Sequence, residues 1–188
     1  VTDATRAALA AERLSERAYS LSALQKYASC PYQFLLSAIH RLHPSDDLAP
    51  LQRLDPLTKG TIVHRMQAET LRELRRQDRL PITRDRLAEA LIVLEQVVDR
   101  VAAHFREQLA PAIERVWDEE MALLARDLRG WLRRMSDDAG EWTPRYFELA
   151  FGLRPDPDHD DASVAKPVVL DGGFILHGAI DLDEQHRT

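Results

Sequence analysis

The sequence predicts an α+β fold, with helices first and a small sheet last. Three observations point to it. Residues 87–105 carry apolar side chains at alternating four- and three-residue steps, the spacing of helices packed along a seam. After Ser136 the period falls to two, the signature of a strand. No pattern for a crossover helix follows those strands.

Composition bounds the function. The 188 residues suit one domain, or one domain with an elaboration, and 45% hydrophobic with 30% charged residues can build a core. A net charge of −6 argues against a module that coats nucleic acid by charge alone. It is compatible with the clustered carboxylates that a hard divalent cation needs. No run of about 18 apolar residues marks a membrane span. One cysteine excludes an internal disulfide and fits a reducing, cytoplasmic setting. The chain opens on Val1 without a signal-peptide pattern, and so reads as a piece of a longer protein.

Taken in order, residues 1–17 read as a helix or a frayed lead-in. Tyr19 to Leu36 holds Cys30, followed by Pro31, Tyr32 and Phe34. Ser20 or Ser22 can cap a helix bearing Leu21, Leu24 and Tyr27. Proline is not tolerated inside a helix, so Cys30 marks the end of one helix or the start of the next. On composition alone Cys30 is a small buried hydrophobe. Residues 43–56 read as an irregular connection.

Gly60 precedes a helix from Thr61 to Gln77, with Val63, Leu71 and Leu74 on its apolar side and Met66 and Ala68 nearer the margins. His64 falls at the edge of that side. Arg72, Arg75, Arg76 and Arg79 make its far end basic, as a solvated helix end or as a patch for phosphate. Thr83 can cap a second helix whose stripe is Leu87, Leu91, Leu94, Val98, Val101 and Phe105. Pro111 can start a third, with Ile113, Val116, Trp117, Leu124, Leu128, Trp131 and Met135. The short link between them predicts an antiparallel hairpin. His104 reads as a surface residue.

Residues 145–153 form a strand, with Tyr146, Glu148 and Ala150 on one face and Phe147, Leu149 and Phe151 on the other. The Asp- and Pro-rich stretch 154–167 reads as a mobile loop. A hairpin follows around Asp171, Gly172 and Gly173. Its second strand, 174–182, has the broken alternation of a strand buried on both faces. Gly178 within it predicts the close approach of something bulky. Asp181 ends an otherwise apolar run, where a carboxylate is costly unless it meets a cation or donors, or points to water.

Three features stand in sequence: Ser22, Leu24, Tyr27, Cys30, Pro31, Tyr32 and Phe34; Gly60 with His64; and Gly178, Ile180 and Asp181. With a helical insertion between the second and third, they resemble the RecB-like nuclease domain of the PD-(D/E)XK superfamily. Within it the likeness is to AddB-type helicase–nuclease subunits and the related CRISPR-associated exonucleases. It spans roughly residues 18–184.

The resemblance implies a restriction-endonuclease-like fold, with N-terminal helices over 18–80, a helical hairpin inserted at 83–136 and the start of the core sheet at 142–184. It implies that His64 and Asp181 hold a catalytic Mg²⁺ or Mn²⁺. It further implies that Cys30 is the first of four cysteines on a [4Fe–4S] cluster in the full-length protein. The implied partners are DNA ends and a helicase, in recombination and double-strand break repair, with no membrane. Glu148 could face the same site, though such a Glu more often pairs with an Arg at a sheet edge.

The sequence departs from the family after Asp181. The family's Asp/Glu-x-Lys should follow Asp181, but Asp183, Glu184 and Gln185 come too soon and bring no Lys. The three distal cysteines and the downstream Gln and Tyr motif residues are also absent. These departures predict a part of a nuclease domain that cleaves DNA poorly or not at all by itself. Two other readings compete: a non-catalytic nuclease-like module that binds DNA ends or a partner, and a helical interaction protein using the Leu87 to Phe105 stripe.

Overall fold

The computed structural model describes residues 2–42, 53–139 and 141–186. Among them the order is α1 (Asp3–Ala11), α2 (Leu21–Ser29), α3 (Pro31–Phe34), α4 (Pro56–Arg76), α5 (Leu87–Leu109), α6 (Glu114–Asp138), β1 (Trp142–Phe151), β2 (Val168–Val169), β3 (Ile175–Leu176) and β4 (Gly178–His186). One π-helical turn, Leu35–Ile39, continues α3. The expected α+β class is what is found. The irregular connection expected at 43–56 lies mostly outside the described residues.

The chain divides into two compact units, Val1–Asp47 with Glu148–Ile180, and Leu48–Phe147 with Asp181–Thr188. The division cuts β1 after Phe147 and β4 after Ile180.

The second unit is built on three long helices. Ile62, Met66, Leu71 and Leu74 of α4, Leu94, Val98 and Val101 of α5, and Leu124, Leu128 and Leu132 of α6 share one buried core with Phe147 of β1. The α5 stripe is therefore consumed by packing: Leu94, Val98 and Val101 are buried, and Leu87, Leu91 and Phe105 lie against the core. It is not a free seam for a partner, which removes the helical-interaction reading. Charge pairs join the helices at the surface. Arg129 of α6 holds Glu95 of α5 with two bonds, 2.6 and 2.8 Å. Arg100 of α5 holds Glu69 of α4 at 2.7 Å, and Lys59 of α4 reaches Glu120 of α6 at 2.5 Å.

The helix starts differ from expectation for local reasons. Asp55, not Gly60, opens α4: its Oδ1 accepts from the Leu57 and Thr58 amides at 2.9 and 3.0 Å, and Pro56 takes the first helical position. Gly60 lies inside the helix. Thr83 closes a turn before α5, its carbonyl accepting from the Arg86 amide at 3.0 Å, rather than capping the helix. Pro111 stays outside α6, because Ala110 adopts a left-handed φ of 42° at the end of α5 and the chain straightens until Ile113.

The first unit is organised around Tyr19, which is 2% exposed. Its amide donates to the Ile175 carbonyl at 3.1 Å, and its own carbonyl accepts from the His177 amide at 3.3 Å. Its hydroxyl donates to Glu12, and its ring meets that of Phe34 at 5.2 Å. These bonds tie the N-terminal helices to β3. Ser20 caps α2 through a bond from the Ala23 amide. The predicted hairpin forms between β2 and β3, antiparallel with Val168 opposite Leu176, and Gly172 and Gly173 take the positive φ its turn needs. The close approach expected at Gly178 is the Phe151 ring, 3.5 Å from where a Cβ would stand.

Three strand-region expectations are corrected. The 154–167 segment is placed, not mobile. The Asp160 amide bonds the Glu148 carbonyl, the Val164 amide bonds the Ala150 carbonyl, and the Asp160 side chain is buried and accepts from the Ala162 amide. The second hairpin strand breaks at His177 into β3 and β4. Ala179, Ile180 and Asp181 are exposed, so β4 is not buried on both faces; β1 is its only ladder neighbour among the described residues.

Candidate metal centre

His64 sits in the third turn of α4. Its neighbours Ile62 and Met66 are fully buried and fix the helix rotation, leaving the imidazole at the rim with 45% of its side chain exposed. Asp181 belongs to β4, in the same unit, with its side chain 62% exposed. The His64 Nδ1 stands 3.3 Å from the Asp181 Oδ2. Asp181 thus answers the question its position raised: it lies open to water and faces one potential cation.

The far end of α4 is fastened to β1. Arg72 donates to the Phe147 carbonyl at 3.0 Å and Arg75 to the Arg145 carbonyl at 3.1 Å, with the Arg75 guanidinium 4.8 Å above the Phe147 ring. Arg76 pairs with Glu73, and Arg79 lies 3.5 Å from Glu89. The arginine run is therefore a partly solvated helix end in which Arg72 and Arg75 also bond β1. It anchors the helix that presents His64.

Glu148 follows Phe147 in β1 and has φ of 57°, a left-handed conformation that a strand residue other than glycine rarely takes. A single such residue acts as a bulge and changes which side chains turn inward. Phe147 is buried before it and Ala150 after it, so the strict alternation expected for this strand does not hold. Glu148 belongs to the first unit, whereas His64 and Asp181 both belong to the second. Nothing in the run Phe147-Glu148-Leu149 signals the bulge, because no Gly or Asn marks the left-handed position.

An imidazole and a carboxylate are donors that suit Mg²⁺ or Mn²⁺, with the nitrogen favouring Mn²⁺. Two neighbouring ligands at about 2.1 Å in an octahedron stand roughly 3.0 Å apart, close to the His64–Asp181 separation. These residues fit a divalent ion. Cys30 fits its implied cluster less well. It stands at the N-cap of α3 at φ −158°, at the helix junction its sequence position predicted, but it is half-buried and not the buried hydrophobe expected. An iron–sulfur cluster takes four thiolates, and this sequence holds one.

A search of curated proteins and a search of solved structures each gave no match. A family model described as the PD-(D/E)XK nuclease superfamily matches residues 18–188, which is nearly the whole chain. The chain therefore belongs to the PD-(D/E)XK nuclease superfamily, whose members are nuclease-like phosphodiesterases that generally use divalent metals such as Mg²⁺.

Proposed function

We propose that this chain carries the first metal-binding half of a DNA exonuclease centre of the RecB-like, AddB-type branch, working beside a helicase in recombination and double-strand break repair. His64 and Asp181 hold Mg²⁺ or Mn²⁺. The observation that carries the reading is the 3.3 Å approach of the His64 Nδ1 to the Asp181 carboxylate, within a chain of this superfamily. The two come from sequence positions more than a hundred residues apart.

A bound divalent ion polarises the phosphoryl oxygen and lowers the pKa of an attacking water. The chain's own part is to hold the ligands in place. Asp181 supplies negative charge on an open strand, where a phosphodiester can approach.

The test is Mn²⁺ binding, followed by electron paramagnetic resonance or calorimetry. His64→Ala and Asp181→Asn should each weaken binding roughly tenfold or more, with the helical circular dichroism signal retained. In a DNA degradation assay, His64→Ala should abolish the Mn²⁺-dependent activity. Equal Mn²⁺ affinity in both variants and the parent sequence would sink the assignment.

A further inference from the structure

The second unit holds a cavity of about 240 Å³ in which neither His64 nor Asp181 takes part. Two indoles wall it, Trp131 of α6 and Trp142 of β1, together with Pro81 and Pro144. Its acidic groups are Asp138, the last residue of α6, and Glu184 of β4. Trp142 is 43% exposed, so the cavity opens to water.

Each feature favours one kind of guest. The volume lies below the roughly 300–1,000 Å³ of small-molecule sites, and so suits a single side chain better than a nucleotide or cofactor. Indole faces attract cations, and a guanidinium in particular lies flat on them. A carboxylate can then take the guanidinium edge with two hydrogen bonds. The α6 C-terminus points the negative end of its dipole to the same place. Burial raises the Glu184 carboxyl above its ordinary range, and the charges of Asp138 and Asp183 raise it further. These acids crowd one another, and a guest positive charge relieves that repulsion, whereas a phosphate would add to it.

We propose that this cavity is a docking site for an arginine side chain of a partner protein, stacked between Trp131 and Trp142 and paired with Asp138 and Glu184. Among the described residues, Arg134 is the one Lys or Arg in the lining, and it stands exposed at the rim. It competes with the guest, so removing it should tighten binding.

The experiment is a tryptophan fluorescence titration with the peptide acetyl-Gly-Arg-Gly-amide, metal chelated throughout so that the His64 site is silent. Of the three tryptophans, Trp117 is 4% exposed and the other two line the cavity. A saturable change is expected. Glu184→Gln and Trp142→Phe should each weaken binding by several-fold to roughly tenfold, the range of a cation–π contact or one charge-assisted bond. Arg134→Gln should strengthen it. Four outcomes would overturn the proposal: no saturable change, affinity unmoved in Glu184→Gln and Trp142→Phe, equal binding of the Gly-Lys-Gly peptide, or a short oligothymidylate binding here and weakened by Arg134→Gln.

Discussion

The α5 segment of the second unit and the β1 residue Glu148 of the first show two ways in which a sequence meets its structure. In α5 every local choice agrees with the fold. Its stripe has helical period, its buried members are apolar, and its polar face carries charges that reach neighbouring helices. At Glu148 the choices conflict. A charged residue without glycine's freedom takes a left-handed φ in the middle of a strand, held by an Asp160 amide on its carbonyl. Redundant agreement gives stability. Tolerated conflict marks a position where something other than stability decides the residue.

The largest expected effect lies on the α5 side. Leu94 is 0% exposed at the centre of the helical core. Leu94→Ala should cost about 2–5 kcal/mol, through lost transfer energy and the cavity left behind. Urea unfolding would measure it. A cost below about 1 kcal/mol would mean that the three-helix core is looser than its burial implies. His64→Ala, at the rim of the same core, should leave the unfolding midpoint nearly unchanged.

The Glu148 side predicts a smaller effect of a different kind. Glu148→Ala and Glu148→Gly both remove the carboxylate, but only glycine takes φ of 57° freely. The Gly variant should therefore be the more stable by about 1 kcal/mol. In an ordinary strand position the order reverses, because glycine costs entropy there. Equal stabilities would show that the bulge relaxes once the side chain is gone.

The same contrast explains what could be read from the sequence. The helical core was legible because apolar period and burial coincide: Leu94, Val98, Val101, Leu124 and Leu128 were placed by spacing alone. Spacing puts Met66 and Ala68 at the margins of α4, yet both are buried, because β1 packs Phe147 into the same core. Helix starts were less legible, since several residues could cap and only geometry shows that Asp55 does. The junction at Cys30 followed from Pro31. The 154–167 segment looked unstructured by composition, but its order comes from backbone bonds to β1 that no composition records. His64 and Asp181 stand out only through a resemblance of motifs. No periodicity would have paired residues so far apart in the chain.

The smallest effect tests whether the ion pairs across the helical core add to its agreement or only decorate it. Glu69 of α4 is largely buried, with 17% of its side chain exposed. Burial alone would raise its pKa, but hydrogen bonds from Arg100 and Arg65 outweigh burial and hold it below the ordinary value. A carboxyl whose folded pKa is depressed stabilises the fold above its unfolded pKa. That contribution fades as pH falls through the folded pKa. Stability should thus decline on acidification below the ordinary Glu range of about 4.3, and Glu69→Gln should flatten that decline while lowering stability at neutral pH. Urea midpoints of both proteins between neutral and acid pH would measure it. Parallel pH curves would mean that Arg100 and Arg65 contribute nothing beyond the cost of burying Glu69, and that the agreement seen in α5 is a matter of apolar packing alone.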